Sequence, residues 1–375
     1  MAATVENIKI KGAEIPVIFE QDRRLPLVTM QFVFQNSGSI SDTTKAGLAK
    51  FSAKIMNEGT KKLGSSAFAE ELESKAIHIS ASTGKETFVI EMSSLKEEFD
   101  NALKYFDMLL KDPNLTKEVI NKVKTTTLGS LARKENDFDY IASNELKALL
   151  FEGSVLANPA DGTTKSIESI ELEDVKEFLL KTLVSSKLIA VVGGDADIEV
   201  VKEKLSKIIE AMPKGEAGEI KKYPVTGAAK EKIIKKETQQ AYIYFGSPYN
   251  ISVESEENYK AKVAAFILGS GGFGSRLMEE IRVKKGLAYS AYARVDVTKS
   301  SSYINGYLQT KLDSLEDAKA TVKEVFSTFV KDGVTKEELE QTKKFLLGSE
   351  PLRVETMSQR LNRTFMEYYK NQELG

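Results

Sequence analysis

The chain has 375 residues, 41% of them apolar and 29% charged, with a formal net charge of −2. A chain of this length and balance buries a large core without disulfides or a structural metal, and it carries no like-charge block of the kind that binds nucleic acid. It has no cysteine and one histidine, His78, which excludes thiol catalysis, iron–sulfur ligation and any site that needs two imidazoles from this chain.

The first segments read as strands. Glu14–Phe19 is apolar, and in Val28–Phe34 the residues Met30, Phe32 and Phe34 alternate with Thr29, Gln31 and Val33, so one strand face packs on a core. A helix is predicted over Thr44–Asn57, capped by Asp42 or Thr43, stopped by Gly59, with Leu48, Phe51 and Ile55 as its buried stripe. Phe88, Ile90 and Met92 mark another alternating strand. Phe99–Leu110 is an amphipathic helix broken at Asp112-Pro113-Asn114, and Thr116 caps the next one. Ser186–Gly193 is a short apolar strand, followed by a helix over Ile198–Met212. Then come a strand at Tyr242–Phe245, a helix at Ala261–Leu268, a strand at Tyr303–Leu308 and a helix at Ala318–Val330. No apolar run reaches the length of a membrane span. Met1-Ala2-Ala3-Thr4 runs straight into strand-like sequence. The start fits a cytoplasmic protein or one whose signal peptide has been removed, and a periplasmic location is the expectation carried forward, with the cytoplasm as the alternative.

The order repeats. Leu110-Lys111-Asp112 with Leu115-Thr116-Lys117-Glu118 corresponds to Val330-Lys331-Asp332 with Val334-Thr335-Lys336-Glu337. Phe106 and Phe326 share one offset with Leu95 and Leu315, and Leu128-Gly129-Ser130 matches Leu347-Gly348-Ser349 after a one-residue slip. A collinear series of this kind argues for internal duplication. The expected domains are a first repeat over 1–212, a linker over 213–230 rich in Gly, Ala, Lys and Glu, and a second repeat over 231–375. The first repeat continues into a strand and helix whose counterparts in the second would lie past Gly375, so the second half is expected to be shortened at its C-terminus, either because the chain is truncated there or because that half is naturally shorter. The fold class is α+β: two homologous α/β-sandwich halves, each a mainly antiparallel sheet with helices on one face.

Two stretches carry chemistry. The first runs from Gly47-Leu48-Ala49-Lys50 through Ala53-Lys54 to Gly59-Thr60. The second is Gly269-Ser270-Gly271-Gly272-Phe273-Gly274-Ser275-Arg276-Leu277, followed by Arg282 and by Gly286-Leu287-Ala288-Tyr289. Alone, the glycine cluster is a weak signal: it lacks the Lys-Ser/Thr ending of a phosphate loop and follows a helix.

Both stretches, and the duplication, resemble the pitrilysin/insulinase-type zinc peptidases, which include the mitochondrial processing peptidases and bacterial two-chain relatives. The family's zinc helix carries His-x-x-Glu-His in the frame of the first stretch. Positions i, i+3 and i+4 share one helical face, so two imidazoles bind zinc there while the Glu acts as general base. In this chain those positions are Lys50, Ala53 and Lys54. No ligand or base remains, and two ammonium groups repel a cation. The family's third ligand, a glutamate from a later helix, falls on Ser130, or on Gly129 if the register slips by one. The plainer account of Lys50 and Lys54 is a solvated helix face. The second stretch resembles the family's second-half signature, in which an Arg holds substrate backbone and a Tyr hydroxyl helps stabilise the tetrahedral oxyanion. Arg282 and Tyr289 match those positions, with Gly271, Gly272 and Gly274 in the loop before them. The plainer account pairs Arg282 with Glu279 or Glu280 and packs Tyr289 into a strand. The resemblance also matches Ile79–Glu91 to the strand beside the zinc helix, whose free edge takes an extended peptide; in this chain an ordinary sheet strand is the simpler reading. His78 is read as a hydrogen-bonded strand residue.

The resemblance implies a non-catalytic subunit of a heterodimeric zinc endopeptidase. It would bind no metal or cofactor itself, zinc being held by a homologous partner, and would complete the partner's chamber for a peptide or unfolded polypeptide. The alternative is a peptide-binding or structural scaffold without peptidase activity, as in the respiratory-complex core subunits similar to this family. A self-sufficient enzyme of another chemistry ranks last, because no Ser/His or Cys/His set is available beyond His78.

Overall fold

The computed structural model describes residues 3–10 and 13–374; Met1 and Ala2, part of the start considered above, lie outside them. In chain order the strands and helices are β1 (Thr4–Ile10), β2 (Ala13–Gln21), β3 (Leu27–Gln35), α1 (Leu48–Met56), α2 (Gly64–Glu73), β4 (His78–Thr83), β5 (Thr87–Leu95), α3 (Phe99–Lys111), α4 (Lys117–Lys134), α5 (Phe138–Leu150), α6 (Thr164–Ser169), α7 (Leu172–Thr182), β6 (Leu188–Gly194) and α8 (Ile198–Ala211). They continue with β7 (Gln240–Pro248), α9 (Asn258–Ala265), α10 (Arg276–Met278), β8 (Ala288–Val297), β9 (Ser302–Lys311), α11 (Leu315–Asp332), α12 (Lys336–Ser349) and α13 (Met357–Tyr369). Among the described residues no helix is long and apolar enough to cross a membrane.

The chain forms two compact units. Unit 1 takes the residues up to Arg133, Pro159–Ile220 and those from Arg353 onward; unit 2 takes Lys134–Asn158 and Lys221–Leu352. The division departs from a linear cut at the 213–230 segment in two places: α5 belongs to unit 2 and α13 to unit 1.

Unit 1 is built on a sheet of order β1-β2-β6-β3-β5-β4, antiparallel except for the β2–β6 pair. The alternation in β3 resolves as expected: Met30, Phe32 and Phe34 enter the main core with Phe51 and Ile55 of α1 and Phe106 of α3. Phe32 meets Phe106 edge-to-face at 5.0 Å between ring centroids. The unalternating run in β6 has a physical cause. Leu188, Ala190 and Val192 face that same core, while Ile189 and Val191 face the other side with Ile18, Val33 and α13 residues Leu361 and Tyr369. A strand covered on both faces is apolar throughout. The expected helical layer on one face is therefore present, and α13 covers the opposite face as well. Gly193 permits this approach, since a Cβ there would lie 2.5 Å from Leu361. Two polar ties fix α13. Arg360 donates to Glu20, which is 2% exposed, at 2.8 Å through Nε, and Tyr369 donates to Glu86 at 2.8 Å.

Unit 2 repeats the pattern in shorter form. Its sheet, β7-β9-β8, is antiparallel and has the order of β3-β5-β4. As β5 leads into α3 through one 3₁₀ turn, so β9 leads into α11. Among the described residues, no strand of unit 2 occupies the place that β6 takes beside β3. The core joins Leu277 and Ile281 with Ala291 and Ala293 of β8, Leu308 of β9 and Val322 and Val325 of α11. Helix α5 lies on the other face of this sheet, with Phe138 edge-on to Tyr242 at 6.0 Å.

Candidate functional site

The first constellation lies on α1 in unit 1. Gly47 adopts φ +86°, and the helix starts after it. Asp42 caps this start from outside the first turn, accepting from Gly47 N at 3.0 Å and Ala49 N at 2.7 Å. Burial pushes its carboxyl up to about 7, against the pull of those two N–H donors. Lys50 and Lys54 stand one turn apart on the same face. Lys50 pairs with Asp161, and the Lys54 Nζ donates to Thr127 Oγ1 at 2.9 Å. Ala53 between them is buried.

The residue of α4 that Lys54 reaches is thus Thr127, one turn before Ser130. Ser130 is half-buried and Gly129 exposed, and three residues of helix rotate a side chain about 60° short of a full turn. These groups do not fit zinc. Two ammonium groups and a hydroxyl replace the ligands, and among the described residues no three His, Cys, Asp or Glu side chains converge on one point.

The second constellation lies in unit 2. After α9 a π-helical turn over Phe266–Ser270 ends in the glycine loop. Gly271 is required by close approach, because a Cβ would meet the Phe266 carbonyl oxygen at 2.7 Å; Gly272 and Gly274 hold φ of +66° and +91°. The Ser275 hydroxyl donates back to Gly272 O at 2.7 Å and closes the loop. The result is a rigid turn that projects Phe273, 71% exposed.

Arg276 and Arg282 then diverge in role. Arg276 donates to both carboxylate oxygens of Glu338 at 2.7 and 2.8 Å and to Gly333 O at 2.7 Å, and it lies over Phe329. That pairing holds the Glu338 carboxyl well below its usual range. Arg282, on the π-helical turn after α10, lies between two rings, 4.6 Å from the centroid of Phe273 and 4.3 Å from that of Tyr289. The expected alternative partner Glu280 pairs with Lys284 at 2.6 Å instead. Tyr289 sits where the β8–β9 register shifts between Ala288 and Ala291, and it is 82% exposed rather than packed in the strand. The structure therefore brings Arg282 and Tyr289 together and adds Phe273, which the sequence reading passed over. Its signal was an aromatic residue flanked by glycines in a tight loop. His78 lies exposed at the start of β4.

Comparison with known proteins gives one family model over each constellation. Residues 17–164 match the model of the insulinase family, peptidase family M16, and residues 169–346 match that of the peptidase M16 inactive domain. A Helicobacter pylori protein named non-peptidase homolog YmxG is 44% identical over 368 residues, 98% of this chain and 85% of the relative. A Bacillus subtilis protein named uncharacterized zinc protease YmxG is 25% identical over 333 residues, 88% of this chain and 80% of the relative. In fold, the crystal structure of a peptidase M16 inactive domain from Pseudomonas fluorescens matches with a TM-score of 0.87 and 24% identity, over 99% of this chain and 89% of that one.

Proposed function

We propose, starting from the fact that this chain belongs to the insulinase-type M16 peptidase family, that it is a non-peptidase member acting as the non-catalytic subunit beside a homologous zinc-bearing peptidase. The observation that carries this reading is the asymmetry between its two constellations. The face that would hold metal is occupied by Lys50, Lys54 and Thr127, whereas half-buried Arg282 lies 4.3 Å from the ring centroid of exposed Tyr289. Selection for stability alone does not explain an 82% exposed tyrosine whose ring centroid lies 4.3 Å from an arginine, while the adjacent Glu280 pairs with Lys284. Exposed aromatic and arginine side chains are the residue types that dominate binding surfaces.

In this role the Arg282 guanidinium, held 4.6 Å and 4.3 Å from the Phe273 and Tyr289 ring centroids, presents N–H donors to peptide carbonyls. The Tyr289 hydroxyl donates to the oxygen on which negative charge develops as the peptide bond is attacked. The general base and the metal belong to the partner, and no step is assigned here to α1. The substrate class is a peptide or unfolded polypeptide.

The test is steady-state kinetics on the chain reconstituted with a zinc-bearing M16 subunit. Tyr289→Phe is expected to lower kcat by about 10²–10³, the usual cost of one oxyanion donor, with assembly intact. Arg282→Ala is expected chiefly to raise KM. Unchanged kinetics for both variants would leave the second reading, a peptide-binding or structural protein without a peptidase partner. That reading draws on Phe345 and Leu347 of α12, which are 55% and 75% exposed.

A further inference from the structure

We infer that the β4 edge of unit 1 is closed to strand addition by the side chain of Asn57, a built-in blocking contact whose removal turns β4 into a peptide-binding edge. Strand β4 is the last strand of its sheet, paired to β5 on one side only. A terminal strand presents a row of backbone donors and acceptors that an extended polypeptide can take up. Along β4 those outward groups recur every second residue. Ala81 is one of them, and it stands at the middle of the outward set Ile79, Ala81 and Thr83.

Both of its outward groups are already engaged. Ala81 N–H donates to Asn57 Oδ1 at 2.7 Å, and Asn57 Nδ2 donates to Ala81 O at 2.9 Å. The Asn side chain is a primary amide, so this two-point pair reproduces what the backbone of an added strand would make. An incoming peptide must expel Asn57 and gains no net hydrogen bond at the centre of its footprint.

The contact is held from behind. Asn57 is the C-terminal cap of α1, its own N–H bonded to Ala53 O. The following turn is fastened at Glu58, which accepts from Ser65 at 2.7 Å and pairs with Lys122 at 2.6 Å, and at Gly59, whose carbonyl accepts from Asn114 N at 3.0 Å. Gly59 holds φ +76°. The backbone under Asn57 is thus fixed, while its side chain is exposed and meets β4 from the solvent side. Edge strands left bare aggregate or recruit foreign chains. At Ala81 the edge nearest α1 is engaged by the Asn57 amide, and the peptide contacts of the proposed function rest on Arg282 and Tyr289 of unit 2. The inference about β4 concerns unit 1 alone and holds whether or not a zinc-bearing partner exists.

The experiment uses the full chain without a partner. Wild type, Asn57→Ala and Asn57→Asp are compared by hydrogen exchange at the Ala81 amide and by fluorescence anisotropy with a fluorescein-labelled, unstructured casein peptide. Wild type should protect Ala81 and bind the peptide weakly through β4. Asn57→Ala should lose that protection and bind about tenfold or more tightly, the scale set by two hydrogen bonds no longer in competition, with the peptide restoring protection at Ala81. Asn57→Asp keeps the acceptor for Ala81 N–H and repels its carbonyl; it should keep the amide protected, bind no better than wild type, and serve as the readout if the alanine variant fails to fold. Equal affinity of wild type and Asn57→Ala overturns the inference, as does tighter binding without renewed protection at Ala81. An unprotected Ala81 amide in wild type, or in Asn57→Asp if that variant alone folds, overturns it as well.

Discussion

Rebuilding the metal site tests which residue of α4 faces α1. The variant Lys50→His, Lys54→His, Thr127→Glu places two imidazoles at i and i+4 on one helix face and a carboxylate opposite them. This is the three-ligand set of a catalytic zinc site with its fourth position open. The structure sets the magnitude. Lys54 already touches Thr127 at 2.9 Å, and Thr127 is 4% exposed. Without zinc, the introduced glutamate is a carboxylate placed where water is excluded, at a cost of several kcal/mol or a proton taken up. With zinc at a hundred times its Kd, binding stabilises the fold by about 2.7 kcal/mol, which raises Tm by roughly 5–11 °C for a unit of this size. The control carries the same two histidines with Ser130→Glu. Differential scanning fluorimetry with and without zinc, and metal analysis after chelation and re-addition, should show about one zinc in the Thr127 variant. They should show none held tightly in the Ser130 control or in wild type. Zinc bound by the Ser130 variant and refused by the Thr127 variant would refute the register. Stoichiometric zinc in wild type would refute the claim that the lysine-bearing face has no place for it.

Asp42→Asn should flatten the pH dependence of stability. The folded carboxyl holds its proton up to about 7 and an unfolded one releases it near 3.8, so the native state binds more protons in that window. Stability from this group is therefore full below pH 4 and is lost as pH rises toward 7. Urea titrations at pH 4, 5.5 and 7 check it, and an unchanged slope counts against the assignment. Arg360→Met leaves Glu20 buried and unpaired, which should cost about 3–5 kcal/mol by chemical denaturation. The double variant with Glu20→Gln should recover part of that loss, and a negligible loss would mean that α13 is not anchored by this pair.

Much of this molecule is legible from local pattern. The alternation of Met30, Phe32 and Phe34, the stripe of Leu48, Phe51 and Ile55, and the matched segments around Phe106 and Phe326 depend only on strand and helix periods. Those periods are properties of the backbone itself. The loss of zinc ligands at Lys50 and Lys54 is likewise a statement about residue identity, and so is the exclusion of an imidazole pair in a chain whose one histidine is His78. Arg282 and Tyr289 are singled out together by a motif frame, but the approach of one to the other is a matter of the turn and strand that carry them. What tertiary structure decided are the pairings across distant elements. Whether Thr127 or Ser130 faces Lys54 depends on the rotation of α4 about its axis, which the packing of Val123, Thr127 and Leu131 sets. The thirteen residues of α13 carry an apolar stripe at Met357, Leu361, Phe365 and Tyr369, which helical periodicity makes legible, but a stripe alone does not say which sheet it covers. Only the fit of Leu361 against Gly193 and the burial of Glu20 beneath Arg360 place them on β2 and β6. Asn57 looks like any polar residue at a helix end until α1 is laid against β4. Only that packing sets its amide beside the backbone of Ala81, because a side chain's partner across 24 residues is chosen by the geometry of packing and not by sequence spacing.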